Sequence, residues 1–348
     1  MSHVLTLAPG MAVTGPPGLY EVLLVAAFAA HVLLVNVALG CTLIALFSPG
    51  TGRAVAGALA KRLPIAVAVA VNLAIPVLLF ASVLYGQYLY TAAILSAVPW
   101  LSLFMVVMIA YGLLYVFQPR AARPGAGWIA AGAGALLLLA SLTLVNVSLL
   151  AVRPDLWPGA AAQAGGTALA VGDPTFLPRW LHFVTASLAV GGLALALFSQ
   201  KAARSDAAAA DRLRLGLRWF GGATLAQIPV GLWFLLSLPR PIMERFFGGH
   251  PVTTLAFMLG LGLAAAALLN AWRGRVGRAA FFIVAAVGGM AVVREQVRQA
   301  YLAPHFTLDA LPVATQIGPI VMFLACLAAT ALAAIWAISL YRRAGQRG

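Results

Sequence analysis

Nine stretches of the chain run for about 20 residues or more with almost no charge: roughly 19–47, 64–95, 98–118, 127–150, 178–199, 216–238, 252–272, 279–297 and 315–341. A bilayer core of about 30 Å is crossed by about 20 apolar residues of helix. The pattern therefore predicts an all-α integral membrane bundle of nine transmembrane helices, forming a single domain over residues 1–348. The breaks fall at Pro, Gly and Arg clusters such as Pro119-Arg120 and Arg273-Gly274-Arg275. These residues end helices and carry charge at the depth of the headgroups. The second stretch is overlong and contains Pro64 and Pro76, so a kink or a protruding end is expected there. No soluble domain and no internal repeat stands out.

Composition agrees with that pattern. With 63% hydrophobic and 9% charged residues, the chain carries more apolar surface than a water-soluble protein of this length can hide. The net charge of +14 would point to nucleic acid in a polar protein, but its placement argues against that partner. Arg53, Lys61 and Arg62, then Arg120 and Arg123, then Lys201, Arg204, Arg212, Arg214 and Arg218, then Arg273, Arg275 and Arg278, and finally Arg342, Arg343 and Arg347 all fall on alternate connections. The remaining basic residues, Arg153, Arg179, Arg240, Arg245, Arg294 and Arg298, share the other side with six carboxylates. By the positive-inside rule the N-terminus faces outside and the C-terminus the cytoplasm, with anionic lipid as the partner of the basic side. Met1 to Gly18 lacks a basic stretch ahead of its apolar run, so no cleaved signal peptide is expected. Cys41 and Cys326 sit singly in apolar runs, and no Cys-x-x-Cys-His occurs, which excludes a disulfide framework and covalently attached haem.

Against so apolar a background, four residues have side chains able to ligate haem iron: His31, His182, Met258 and Glu295. Imidazole, thioether and carboxylate are axial donors for haem, and a polar side chain in a span is expensive unless it has a task. His31 lies near the middle of the first span, with Ala29, Ala30 and Gly40 small enough for a flat macrocycle to approach. Its plain alternative is a hydrogen bond to a neighbouring helix. His182 falls one turn into the fifth span, followed by small residues and Gly191-Gly192, with Arg179 on the same face to meet a haem propionate. Met258 lies at a similar depth, although most methionine in membrane helices is packing filler. Glu295 ends the eighth span in Arg294-Glu295-Gln296-Val297-Arg298-Gln299. Its plain alternative is a solvated helix end paired with Arg298 or Gln299. His3, His250 and His305 fall in segments expected to be loops, where solvated histidines are the default.

In order along the chain, these segments resemble subunit I of the cytochrome bd quinol oxidases. His31-Val-Leu-Leu-Val-Asn-Val-Ala-Leu-Gly40 is similar to that family's first-helix haem-ligand segment. Trp157-Pro158 and Pro178-Arg-Trp-Leu-His182-Phe-Val-Thr-Ala-Ser resemble its fourth loop and the histidine of its low-spin haem. Phe257-Met258-Leu-Gly-Leu-Gly resembles the methionine segment that completes that haem. Glu295-Gln-Val-Arg298-Gln299-Ala-Tyr301 resembles the stretch whose glutamate ligates a high-spin haem. The resemblance implies that His182 and Met258 hold a low-spin haem b near the outer face. It further implies that His31 and Glu295 serve one or two further haems, for two or three in all, with haem d an alternative at the high-spin site. Arg298 and Arg179 would balance propionates or the buried carboxylate. A bacterial cytoplasmic membrane is the implied location.

The departures bear on function. The link between spans six and seven, Pro239 to His250, is too short for the family's quinol-binding loop, and no Asp or Glu occurs between Glu21 and Asp155. Ala256 and Ala291 stand where the family has an arginine and a tryptophan. Haem binding is therefore expected to be retained in preference to quinol oxidation or oxygen reduction. The leading expectation is a haem b membrane cytochrome passing electrons between outer-face redox carriers (a c-type cytochrome, another periplasmic redox protein or quinol) and partner subunits, a second membrane subunit among them. The alternatives are a compact terminal oxidase reducing oxygen at a high-spin haem and a non-redox membrane subunit or transporter.

Overall fold

The computed structural model describes residues 12–47, 52–162, 164–314 and 316–344. Among them, nine helices are long and apolar enough to cross a bilayer: α1 Pro17–Phe47, α2 Leu63–Leu95, α3 Ala97–Phe117, α4 Ala126–Val152, α5 Phe176–Ser199, α6 Ala207–Leu236, α7 Pro251–Trp272, α8 Val276–Leu302 and α9 Ile317–Ala344. The expected all-α, multi-pass architecture is the one observed. In hydrocarbon every backbone N–H and C=O needs an internal partner, and helices supply it within the segment. His3 and Arg347 lie outside the described residues.

Contacts between the connections define the two ends of the bundle. At one end, Val13 bridges to Val313, the Ala168 amide donates to the Leu95 carbonyl at 3.1 Å, and Tyr88 packs on Trp157 and Phe306. At the other, Val55 and Leu59 pack with Phe117, Ala121 and Ala126, and Arg62 lies 4.8 Å over the Phe198 ring. The first is called the N-terminal end below and the second the basic end. The extra short helix Gly52–Ala60 at the basic end was not visible as a separate element in the hydropathy.

Helix bounds depart from the apolar runs where polar residues continue a helix past the hydrocarbon. The sixth helix begins at Ala207, capped by the Asp206 carboxylate accepting from the Ala208 amide, nine residues before its apolar stretch. The eighth runs on to Leu302, so Arg294, Glu295 and Arg298 stand inside a helix rather than at a frayed edge. His250, expected to be a solvated loop residue, caps α7 by accepting from Thr253. The second helix continues through Pro76; its non-helical residue is Tyr85 (φ −133°, ψ 26°), so the break sits nine residues past the proline.

Two crossings at small residues set the packing. A Cβ on Gly40 would collide with the Ser187 carbonyl, and one on Gly191 would lie 2.5 Å from the Gly40 carbonyl carbon. Gly192 and Gly216 press α5 against α6 in the same way, a Cβ on either meeting backbone at 2.6 Å. Close approach of this kind is how membrane helices gain dispersion energy without a hydrophobic effect between them. The Ser187 hydroxyl donates to the Asn36 side-chain oxygen at 2.9 Å beside the first crossing. Gly40, expected to admit a macrocycle, is therefore occupied by a neighbouring helix; the correction follows from backbone contact with Ser187 and Gly191 at this position. The ninth helix is peripheral: Phe323 packs on Phe80, Ile320 lies beside Gly15, and most of its described side chains are exposed.

Candidate ligand-binding site

Histidine 31 points from α1 at α2. Its Nδ1 lies 2.8 Å from the Ala70 carbonyl oxygen, and a carbonyl only accepts, so Nδ1 carries the proton and Nε2 the lone pair. Fixing the tautomer by a backbone carbonyl is a recurring support for ligating histidine. The interhelical hydrogen bond weighed against ligation is thus present, and it engages Nδ1 and not Nε2.

Histidine 182 is held differently. Its ring leans on Phe234 of α6, with ring centroids 6.1 Å apart, and lies 3.4 Å from where a Cβ on Gly231 would stand. A larger residue at 231 would press on the imidazole. The Nδ1 is buried and has no hydrogen-bond partner among the described residues, an arrangement that costs about 1–3 kcal/mol until something fills it. One turn further along α5, Thr185 donates to Gln227 of α6 at 2.8 Å. From there an apolar cleft of about 420 Å³, lined by Leu188, Leu215, Trp219 and Ala226, opens between the two helices.

Glutamate 295 is 2% exposed and fully engaged. The Tyr85 hydroxyl donates to its Oε1 at 2.7 Å, and Arg298 stands 3.1 Å from Oε2 while lying 4.9 Å over the Tyr85 ring. The anticipated Arg298 pairing is there, but inside the bundle rather than in solvent. The Tyr85 break in α2 aims the hydroxyl at α8. Tyr85 follows Ala70 by fifteen residues on α2, about 22 Å of helix rise, so His31 and Glu295 occupy different levels of the bundle. Met258 is 47% exposed. It lies on the side of α7 away from Gly260, where a Cβ would stand 2.6 Å from the Met290 methyl carbon of α8, and none of the His182 contacts above involves it.

Two cations complete the picture. Arg179 lies over Phe234 at 5.0 Å, keeps a long 3.3 Å hydrogen bond to the Thr175 hydroxyl, and has a buried Nε without a partner. Arg294, which sequence reasoning counted for topology but not as a site residue, lies 4.0 Å over Phe28 of α1. Phe28 precedes His31 by three residues, one turn toward the N-terminal end. Tyr85, Phe28, Phe234 and Arg294 carried no motif; charge inside a span was the available signal for Arg294.

The loop over this region is braced. The Asn146 amide group donates to the Ala168 carbonyl at 3.1 Å and its oxygen accepts from the Ala170 amide at 2.7 Å. Arg153 grips Asp155 with both Nε and Nη2 and pairs with Asp173. Asp173 in turn accepts from the Thr175 amide and hydroxyl at the start of α5. The Arg153 guanidinium holds the Asp155 carboxyl below the ordinary carboxylate range.

No protein-family model matches the chain, and a search of curated proteins finds no relative. Among the described residues no group of three or more His, Cys, Asp or Glu side chains forms a bare-metal site, as a haem, which brings its own four equatorial nitrogens, would not require. The donor chemistry fits a haem at the two histidines. One imidazole has its tautomer set by a carbonyl, and the other has a buried nitrogen without a protein partner; the cleft between α5 and α6 begins one turn beyond it at Thr185 and is also lined by Arg218. Arg179 stands one turn before His182 and lies over Phe234, and Arg294 of α8 lies over Phe28, one turn before His31.

Proposed function

We propose that the chain is a haem b-binding integral membrane cytochrome, similar to subunit I of the cytochrome bd oxidases, that passes electrons between redox carriers at the N-terminal end and partner subunits. The observation that carries this reading is the partnerless His182 Nδ1, buried beneath Phe234 and one turn from Arg179. A polar nitrogen is kept dry and unpaired in a membrane helix at a real energetic cost, and a ligand that uses the imidazole removes that cost. Bound haem supplies a one-electron iron couple. The protein's part is to present imidazole at His182 and His31, to exclude water with the apolar faces of α5 and α6, and to offer cations near the N-terminal end. Met258, the sixth donor implied by the family resemblance, would have to turn inward from α7. Glu295 would have to give up Tyr85 or Arg298 to ligate iron, so the histidines are the primary ligands. The positive-inside bias and the +14 net charge support an N-terminal end that faces the periplasm of a bacterial cytoplasmic membrane.

The test is a pyridine haemochrome assay with a reduced-minus-oxidised spectrum on purified protein. A b-type haem is expected, with the low-spin bands lost in His182→Ala and retained in Met322→Leu, a methionine of the peripheral α9. Absence of b-type haem, or full low-spin bands in His182→Ala, overturns the reading.

A further inference from the structure

The turn from α7 into α8 gathers cations at the basic end. Gly274 takes φ +70°, so that its amide and that of Arg275 fold back on the Ala271 and Asn270 carbonyls at 2.9 and 2.8 Å, a helix stop that favours glycine. So tight a reversal leaves Arg273, Arg275 and Arg278 around one open hollow of about 500 Å³, completed by Asn270, Phe281 and Phe282. The first turn of α8 borders it at Gly277. No side chain caps that turn, so its amides present the positive end of the helix. Asp206 and Asp211 are the carboxylates that the sequence places at this end, and they pair with Arg212 and Arg214. Among the described residues Arg273, Arg275 and Arg278 form no ion pair and no side-chain hydrogen bond. One turn deeper the surface becomes apolar. Phe281 and Trp272 are largely exposed, and Phe282 meets Phe281 edge-on with ring centroids 5.6 Å apart.

We propose that this hollow is a site for one anionic phospholipid, its phosphate held by Arg273, Arg275 and Arg278 and its acyl chains laid along Phe281 and Phe282. Guanidinium forks match phosphate oxygens, and an uncapped helix N-terminus favours the same charge. A soluble anion would satisfy the arginines and leave the exposed rings without a counterpart. A zwitterionic lipid would cover the rings and bring no net charge to the cations. The other basic connections attract anionic lipid diffusely, whereas here three cations, a helix end and aromatic rings meet at one place.

Full-length protein is reconstituted in phosphatidylcholine bilayers at physiological ionic strength, with a small share of the lipid replaced by phosphatidylglycerol or phosphatidylcholine carrying brominated acyl chains. Bromine quenches tryptophan on contact, and the part of the signal due to Trp272, beside Arg273, is the difference from Trp272→Phe. Brominated phosphatidylglycerol should reach half-quenching of Trp272 at a level lower by about tenfold or more, since each basic residue strengthens anionic-lipid binding by about fivefold. The preference should fall toward one in Arg275→Gln with Arg278→Gln and persist in Arg275→Lys with Arg278→Lys. It should also persist in Arg120→Gln with Arg123→Gln, which removes as much charge from another connection at the same end. Equal quenching by the two brominated lipids overturns the proposal. An equal fall in the Arg120 and Arg123 variant reduces the effect to diffuse attraction and overturns the site. Loss of the preference on adding inorganic phosphate assigns the arginines to a soluble anion and overturns the lipid.

Discussion

Glu295 and His182 are both polar groups set into transmembrane helices, yet the protein treats them in opposite ways. Glu295 accepts a hydrogen bond from Tyr85 of α2 and forms an ion pair with Arg298 of its own helix, whose Nη1 makes no hydrogen bond among the described residues. His182 has an aromatic neighbour and a buried nitrogen with nothing to bond. A buried charge held against its counter-charge fixes how helices sit against one another, whereas a buried group with no counterpart is a standing cost that a ligand can relieve. The contrast separates two roles that look alike in sequence. Glu295 joins α8 to α2, whereas the His182 Nδ1 has no partner among the described residues.

The comparison breaks first at Glu295. Glu295→Ala leaves Arg298 as a buried charge without its carboxylate and Tyr85 without its acceptor, so a loss of about 3–5 kcal/mol in stability is expected. Equilibrium unfolding in mixed micelles measures it. The double variant Glu295→Met with Arg298→Met should recover most of the loss, because no charge is then stranded. A loss below about 1 kcal/mol in the single variant would mean that the pair does not tie the two helices.

His31 stands between the two extremes, with one nitrogen bonded to a backbone carbonyl and the other free. His31→Ala removes that hydrogen bond and some packing, and a loss of about 1 kcal/mol is expected in protein made without haem. His182→Leu, by contrast, should cost nothing in the same haem-free protein and even stabilise it, since the change deletes an orphaned nitrogen and adds apolar contact with Phe234. A loss equal to that of His31→Ala would show that His182 has a structural partner after all. In haem-replete protein the order should invert, with His182→Leu now forfeiting the stabilisation that a ligand confers on the folded state.

These differences were only partly legible in the sequence. The nine spans and their rough bounds were readable because hydrocarbon thickness and backbone satisfaction leave so few options to a run like residues 127–150. Helix continuation through Arg294, Glu295 and Arg298 was not, because hydropathy falls there while backbone hydrogen bonding does not. The four candidate ligands were visible as polar residues in apolar surroundings. Their separation into satisfied and unsatisfied groups depended on long-range partners: Ala70 for His31, Tyr85 for Glu295, Phe234 for His182. None of these stands at a spacing that names it. Gly40 was read as room for a macrocycle, since a small residue looks the same in sequence whether a cofactor or another helix lies against it.

The smallest expected effect lies in the loop that leads into α5 ahead of Arg179 and His182, where Arg153 holds Asp155 and Asp173 together. The Asp155 carboxyl sits below its ordinary range because Arg153 bonds its charged form, with His305 adding a weaker attraction. Its contribution is therefore present above the ordinary carboxylate pKa and is lost as pH falls through the lowered value. The Asp155 side chain is 55% exposed, so solvent screens the pair and the effect stays small. Hydrogen exchange at the Ala168 and Ala170 amides, which the same loop folds onto Leu95 and Asn146, should quicken modestly as pH is lowered toward 3, after correction for intrinsic exchange. Asp155→Asn should flatten that component. An Asp155→Asn protein with the same acid sensitivity as the unaltered chain would move the pH response off this pair, and would leave the bracing of the loop to Asn146 and Asp173 alone.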